Sequence, residues 1–343
     1  MDFSSDTSAP AHPAVLKALA EANHGMDGSY GNDRVSAALR TQIAQTFETE
    51  AFEVWLTASG TASNALALSV LCQPTGSILC HAEAHIERDE RGAPEFFTGG
   101  GKLALLPGDA ARIDETALRD ALAGIDRSFV HETPPHVLSL TNLTESGAAY
   151  PTAQIEHYAA LAHETGLAVH LDGARLANAL VSTGASPAEM SWKAGVDILT
   201  CGLTKTGAMG CEMILLFGDT RAKFEELKAR AKRSGHMPPK ARYLAAQGLA
   251  LLADDLWLSL ASTANRQAKR LANALCALPG TSLAYPVDGN EVFAHLPDGV
   301  AESLGSAGAK FYPWPGGSHR FVCAWSTTDA EIDALISALE PAE

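Results

Sequence analysis

Apolar residues fall along this chain in two alternating rhythms. Val35, Leu39, Ile43 and Phe47 recur every four positions, a spacing that gathers them on one face of a helix. Residues 53–57, 77–81, 102–106, 137–140, 167–171, 197–201 and 213–217 are instead short, nearly continuous apolar runs. Such runs predict strands covered on both faces of a sheet. Between them, 61–72, 115–123 and 155–165 read as helices. Pro13 opens an earlier helix that reaches Ala22 and closes near Gly25, and Gly28-Ser29-Tyr30-Gly31-Asn32-Asp33 is a loop by composition. Strands alternating with helices predict an α/β fold, with helices packed on a mostly parallel sheet.

A long helical stretch follows over 224–278, broken at Met237-Pro238-Pro239. Beyond it the pattern changes. Strands are predicted at 282–285, 291–296, 310–314 and 320–325, with helices near Glu302 and over 329–339. The chain therefore divides into an irregular arm (1–12), a large domain (13–246) and a smaller C-terminal α/β domain (247–343), as its length suggests. It has no internal repeat.

Composition narrows the function classes. With 46% hydrophobic and 19% charged residues the chain is an ordinary globular one, not a disordered one. A formal net charge of −15 argues against nucleic-acid and membrane partners, while leaving room for a local pocket that takes a small anion. No apolar run approaches the ~20 residues of a transmembrane helix. Met1-Asp2-Phe3-Ser4-Ser5-Asp6 lacks the basic-then-apolar order of a signal peptide. The six cysteines are scattered, mostly in apolar runs, without CxxC or Cys/His ligand spacing; they read as free thiols of a cytoplasmic protein with no metal site.

Two strings carry the candidate chemistry. Val169-His170-Leu171-Asp172-Gly173-Ala174-Arg175 and Ile198-Leu199-Thr200-Cys201-Gly202-Leu203-Thr204-Lys205 are apolar runs that stop on ionisable residues. Strands of a buried parallel sheet end this way when their carboxyl edges carry a site. A pyridoxal phosphate enzyme needs an amine to form a Schiff base with the aldehyde. It also needs an acid that keeps the pyridine nitrogen protonated, so that the ring acts as an electron sink. Taken alone, Asp172 could equally cap the next helix, Arg175 could make a surface ion pair, and Lys205 could be a solvated loop lysine. In a sheet-edge cleft Lys205 would be desolvated, which favours the neutral, nucleophilic amine.

Ala58-Ser59-Gly60-Thr61 lies between a strand and an apolar helix. Small residues at a helix start leave N–H groups accessible to an anion, and Ser59 and Thr61 add hydroxyls, although such a turn is more often a plain N-cap. His85, in the loop after the strand 77–81, could stack on a cofactor or move protons; a lone histidine is more often just a loop residue.

Together these pieces resemble the threonine aldolases, pyridoxal phosphate enzymes of fold type I, over essentially the whole chain. Ser5-Asp6-Thr7, Tyr30-Gly31-Asn32-Asp33, Ser59-Gly60-Thr61, His85, Asp172-Gly173-Ala174-Arg175 and Thr204-Lys205 follow in the family's order. The resemblance implies the aspartate aminotransferase-like fold, with a mostly parallel large-domain sheet and a smaller C-terminal domain. It implies that Lys205 carries the Schiff base, Asp172 pairs with the pyridine nitrogen and His85 stacks on the ring. Ser59, Gly60 and Thr61 would hold the phosphate, and Arg175 and Thr204 would line the cofactor. Ser5, Arg175 and Arg320 would bind the substrate's α-carboxylate. Tyr30 and Arg242 would reach the site from a neighbouring subunit, which implies at least a homodimer and suggests a homotetramer. His131, placed by counting back from Val137-Leu138-Ser139-Leu140, would lie near the β-hydroxyl.

The implied reaction is cleavage of a β-hydroxy-α-amino acid, such as L-threonine, L-allo-threonine or a phenylserine, to glycine and an aldehyde. The base is left among His85, His131 and an ordered water. Departures from the family pattern are Phe3-Ser4 before the SDT string, Thr206-Gly207-Ala208-Met209-Gly210 after the lysine, and Pro239-Lys240-Ala241-Arg242 in place of a glycine-rich string. The competing readings are β-elimination, racemisation or transamination on the same fold; a nucleotide-binding protein, disfavoured by the lack of GxGxxG after the first strand; and a non-enzymatic binding module. The sequence leaves open the aldehyde portion, the configuration at Cβ and any cation requirement.

Overall fold

The structure is a computed structural model, described here for residues 1–339. Seven strands build the main sheet: β1 (Phe52–Thr57), β2 (Ser77–His81), β3 (Lys102–Leu106), β4 (Pro135–Thr141), β5 (Ala168–Gly173), β6 (Ile198–Gly202) and β7 (Glu212–Phe217). Their order is β1-β7-β6-β5-β4-β2-β3. β3, β2, β4, β5 and β6 pair in parallel, and β7 runs against both β6 and β1. The mostly parallel α/β sheet expected from the apolar runs is the one that forms.

Side chains alternate across the sheet, as the two-residue period of a strand requires. Val169, Leu171, Leu199, Cys201, Met213 and Leu215 enter one core. Ile198, Ile214 and Leu216 enter another on the opposite face, together with Leu66, Leu68 and Val70 of the helix Gly60–Leu71. That helix is buried from Ala62 to its end, so it carries no polar face. The same alternation turns His170, Asp172 and Thr200 toward it. This is how an apolar strand delivers a carboxylate to a buried helix.

The second sheet is antiparallel throughout: β8 (Ser282–Leu283), β9 (Glu291–His295), β10 (Tyr312–Trp314) and β11 (Ser318–Val322), in the order β10-β11-β9-β8. The helices Val300–Ser306 and Asp329–Leu339 pack with it. All four of these strands are shorter than the sequence suggests, and the short helices His85–Arg88, Ala93–Thr98 and Leu176–Thr183 are not among the expected elements. Elements of one or two turns are too brief to show a periodicity.

The predicted break at Met237-Pro238-Pro239 separates the helix Phe224–Arg233 from Arg242–Leu252. A second break, not foreseen, lies at Asp254 and Asp255, whose φ values are 52° and 53°. Across it, residues 242–276 are long and apolar enough by composition to cross a membrane, but half of their most apolar window is buried. Ala245, Leu251, Trp257 and Ala261 pack into the large-domain core, whereas Ala268, Leu271 and Leu275 join the core of the second sheet. On this packing we place the division between the domains within the helix Leu256–Cys276, later than residue 247.

The arm over residues 1–12 has little regular structure, an isolated bridge at Asp2 and a short turn at Asp6–Ser8, but it is tied down. Phe3 N donates to Lys310 O at 2.8 Å, Val322 N donates to Phe3 O at 2.8 Å, and Asp2 bridges to Lys310 in parallel. The Phe3 ring is buried and meets Phe321 edge-on. The arm is thereby tied to the second sheet, and Asp6 is delivered between the two domains. Phe3→Ala removes a buried aromatic anchor and is expected to cost about 3–5 kcal/mol of stability in denaturant unfolding; a loss under about 1 kcal/mol would mean that the arm is not anchored there.

Candidate active site

β5 and β6 end side by side at one edge of the main sheet, with Asp172 opposite Thr200. Their ends are tightly packed. A Cβ on Gly202 would stand 2.6 Å from the carbonyl oxygen of Ala174, so only glycine lets the strands approach this closely. Lys205 lies just beyond β6, in the short turn Thr204–Thr206. That turn is fastened from β7: Leu203 N donates to Glu212 Oε2 at 2.8 Å, and Cys211 N donates to Thr204 Oγ1 at 3.2 Å. Burial lowers the Lys205 ammonium below its ordinary range, and the charge of Arg175 lowers it further, against the pull of Asp6, Glu291 and Asp172. The shift favours the neutral, nucleophilic amine.

Asp172 is buried, and both its oxygens are held. Oδ1 accepts from Ala174 N at 2.9 Å, and Oδ2 accepts from Asn64 Nδ2 at 2.7 Å. Asn64 Nδ2 also donates to Glu90 Oε1 at 2.8 Å. Glu90 in turn meets His85 Nδ1 at 2.8 Å. Burial raises the Glu90 carboxyl against the pull of its histidine hydrogen bond. For His85, burial opposes the charged ring, but the hydrogen bond to Glu90 and the charge of Asp172 outweigh it and raise the imidazole. Both shifts favour a proton kept between the two. Behind Asp172, His170 is fully buried between Ser139 and Thr200, and burial drives its imidazole down to about 4, so it stays neutral.

Arg175 gives its Nε and Nη2 edge to Asp6, at 2.7 and 3.1 Å, a forked pair. Its Nη1 lies 3.4 Å from Glu291 Oε2. Glu291 Oε1 lies 3.2 Å from Arg320 Nε, an ion-pair contact without hydrogen-bond alignment. Burial alone would raise the Asp6 carboxyl; Arg175 and Lys205 outweigh it and bring it down to about 2. The structure thus links Arg175 and Arg320 through Glu291, while Ser5 is next in the chain to Asp6 and its hydroxyl meets Thr7. The clamp is not a pair of free guanidiniums, because Asp6 already holds one edge of Arg175.

Ser59, Gly60 and Thr61 form the start of the helix Gly60–Leu71. The Ser59 side chain makes no capping hydrogen bond, and the space where a Gly60 side chain would stand is open. This helix start has unused N–H groups and an uncommitted hydroxyl, as an anion site requires. The residues present suit pyridoxal phosphate: this helix start could take the phosphate, Asp172 the ring nitrogen and Lys205 the aldehyde, with His85 joined to Asp172 through Glu90 and Asn64. Two buried atoms near Asp172, Asn64 Oδ1 and Glu90 Oε2, have no hydrogen-bond partner among the described residues.

His131 lies elsewhere, whereas Tyr30 and Arg242, expected to act from a neighbouring subunit, are placed only within the single chain. His131 is exposed in the segment before β4 and lines a groove with Ser77 and Lys102, the first residues of β2 and β3. That is the amino edge of the sheet, opposite the edge that carries Asp172. The count back along the sequence fails because the chain enters β4 at that far edge. Tyr30 is exposed, with Lys232 Nζ 4.9 Å from its ring, and Arg242 Nη1 donates to Gly25 O. The wider clefts of the single chain also lie away from Lys205, one beside Tyr30, Trp55 and Phe224 and one beside Lys17, Ala246 and Ser259. His85 opens the helix His85–Arg88 and is not a loop residue.

Sequence reasoning did not single out Asn64, Glu90, Glu145, Glu212 or Glu291. Asp6 was visible only inside the SDT string. A lone acid or amide in an apolar segment carries no spacing signal. Glu212 bears on stability as well as placement. Burial raises its carboxyl to about 7, against its hydrogen bond with Thr204. A carboxyl raised in the folded state contributes stability below its unfolded value, lost as pH rises through the folded value. Glu212→Gln should therefore melt above the parent at pH 8, with the gap closing as pH falls toward 5; a constant gap in thermal melts would overturn this.

Comparison with known proteins shows the family and the fold. The family model described as Beta-eliminating lyase matches residues 2–298. A low specificity L-threonine aldolase of Pseudomonas aeruginosa is 41% identical over 97% of this chain and 95% of its own. The solved structure of a Leishmania major threonine aldolase superposes with a TM-score of 0.91 at 27% identity, covering 98% of both chains. An aspartate aminotransferase of Thermus thermophilus, at 17% identity and a TM-score of 0.72, covers 98% of this chain and 89% of its own, and shows the shared fold alone. The chain belongs to the beta-eliminating lyase family, on its threonine aldolase branch, and is a pyridoxal phosphate-dependent lyase of fold type I.

Proposed function

We propose that this enzyme cleaves L-threonine and related β-hydroxy-α-amino acids to glycine and an aldehyde. The observation that carries the reading is that Asp172 and Lys205 stand at the neighbouring carboxyl ends of β5 and β6, with Asp172 joined through Asn64 to the helix that starts at Ser59–Thr61. Pyridoxal phosphate, when bound, supplies an aldehyde for the substrate amine and a ring that takes up electrons from Cα. Every other part belongs to the chain. Asp172, fixed by Asn64 and Ala174 N, would hold a proton at the ring nitrogen. The neutral Lys205 amine would be the nucleophile and would carry a proton to and from Cα. Gly60, Thr61 and Ser59 would bind the phosphate, with Thr204 beside Lys205. Arg320 and the Nη1 side of Arg175, with Ser5, would orient the substrate carboxylate, so that the bond to be broken stands across the ring. His85, kept in place by Glu90, would lie against the ring.

We also propose that the working unit is at least a homodimer, with a homotetramer as the fuller assembly. Leu16, Met26, Tyr30 and Met209 are exposed apolar side chains, and Met209 follows closely on Lys205. A second copy would cover them and bring its Tyr30 and Arg242 toward the site. The free thiols, buried except at Cys276, suit a reducing cytoplasm.

The deciding assay incubates the holoenzyme with L-threonine, L-allo-threonine and phenylserine and measures aldehyde. Aldehyde with equimolar glycine is expected; pyruvate in its place would favour β-elimination. Lys205→Ala should lower turnover on the order of a thousandfold or more, and borohydride should fix the cofactor on Lys205 in the parent. A label on another peptide would overturn the assignment. Arg320→Ala should weaken glycine binding about tenfold to a hundredfold with cofactor affinity little changed; equal loss of both would remove Arg320 from the carboxylate site.

A further inference from the structure

We propose that Glu145 is the acid–base residue that takes the proton from the substrate's β-hydroxyl, an inference that rests on the aldol reading above. Glu145 follows β4 at the carboxyl edge, in the turn closed by Thr144 N donating to Ala148 O at 2.9 Å. Its Oε1 accepts from His85 N at 2.7 Å. Its Oε2 is buried and has no hydrogen-bond partner among the described residues. A buried acceptor left unpaired is costly, and the cost is recovered when a ligand supplies the donor. A substrate hydroxyl is such a donor.

The position is central. Glu145 is within the electrostatic reach of His85 and Asp172, and Arg175, Tyr150 and Cys80 in turn feel its charge. Of the other acids at this edge, Glu90 also has an unpaired Oε2, but its Oε1 is tied to both Asn64 and His85, and the rest are committed. Asp172 has both oxygens held, Asp6 is held by Arg175 and Asn290, and Glu291 lies between two arginines. His85 has given Nδ1 to Glu90, and His131 is at the far edge of the sheet. Burial raises the Glu145 carboxyl to about 7, against its hydrogen bond from His85 N and with the charge of Asp172 adding to the rise. Both protonation states are then populated near neutral pH, as a group that takes and returns a proton requires.

The step balances without any further reactant. Glu145 Oε2 takes the hydroxyl proton, and the O–H bonding pair becomes the second bond of the aldehyde carbonyl. The Cα–Cβ bond breaks and its electron pair remains with Cα. One proton is delivered to Cα to complete glycine, and Glu145 releases one, so the amino acid divides into glycine and aldehyde with no net gain or loss.

The test separates this role from a structural one, because exchange of the glycine α-hydrogen with deuterated water involves no β-hydroxyl. In the Glu145→Gln holoenzyme, aldehyde release from L-threonine should fall by about a hundredfold or more, while glycine exchange stays within about threefold of the parent. The rise of parental kcat/KM with pH through about 7 should vanish in the variant. Cleavage within about threefold of the parent, or equal loss of cleavage and exchange, overturns the proposal. Should Glu145→Gln not fold, Glu145→Asp serves: exchange retained with the cleavage limb displaced in pH supports it, and an undisplaced limb overturns it. A parent enzyme that exchanges glycine but releases no aldehyde from any β-hydroxy amino acid would instead sink the aldol reading itself.

Discussion

Two buried carboxylates, Asp172 and Glu90, share the same amide donor, the Nδ2 of Asn64. Like charges do not stay close together out of water without a donor between them. The amide satisfies both and dictates where each stands. Asn64 sits one turn into the helix Gly60–Leu71, so the same bond sets that helix against the end of β5. The helix start at Ser59–Thr61 and the carboxylate at Asp172 are therefore parts of one rigid arrangement. His85 enters the arrangement through Glu90, and Glu145 through the backbone of His85.

A second constraint works from the other domain. Arg175 and Arg320 are balanced by Asp6 and Glu291, so the cluster is close to neutral before any ligand arrives. Asp6 comes from the arm, Glu291 from β9 and Arg320 from β11. Arg175 lies just past the end of β5. Removing one partner from such a buried set leaves an uncompensated charge, which costs far more than the set contributes as a whole. The arm, the second sheet and the main sheet are thus held at the site by ion pairs, in addition to apolar packing. The acidic character of the chain is carried into the site itself: its arginines are matched by acids, and the helix start at Ser59–Thr61 keeps uncommitted N–H groups and a hydroxyl.

How far the site can be read from the residues differs from part to part. Asp172 and Lys205 stand out because a charged group ending an apolar run breaks a pattern. Ser59–Thr61 stands out because small residues open an apolar helix. The strands of the main sheet are legible for the same reason, and the bounds of β2 and β3 agree with the expected ones to the residue. Asn64 and Glu90 do not stand out, since one polar residue in a buried segment looks like noise until its partner is known. His131 misled because position along the chain was used in place of position in space.

The sequence by itself determined the alternation of strands and helices, the ends on which the acid and the amine sit, and the order of the motifs. These depend on local periodicity and on turn chemistry, which act over a few neighbouring residues. Only the tertiary structure decided which charges meet. The Asn64 bridge, the Asp6 fork on Arg175 and the burial that shifts Glu145, Glu212 and Lys205 all join residues distant in the chain. Hydrogen bonding and desolvation depend on distance in space, and distance in space is fixed only when the sheets and helices have packed.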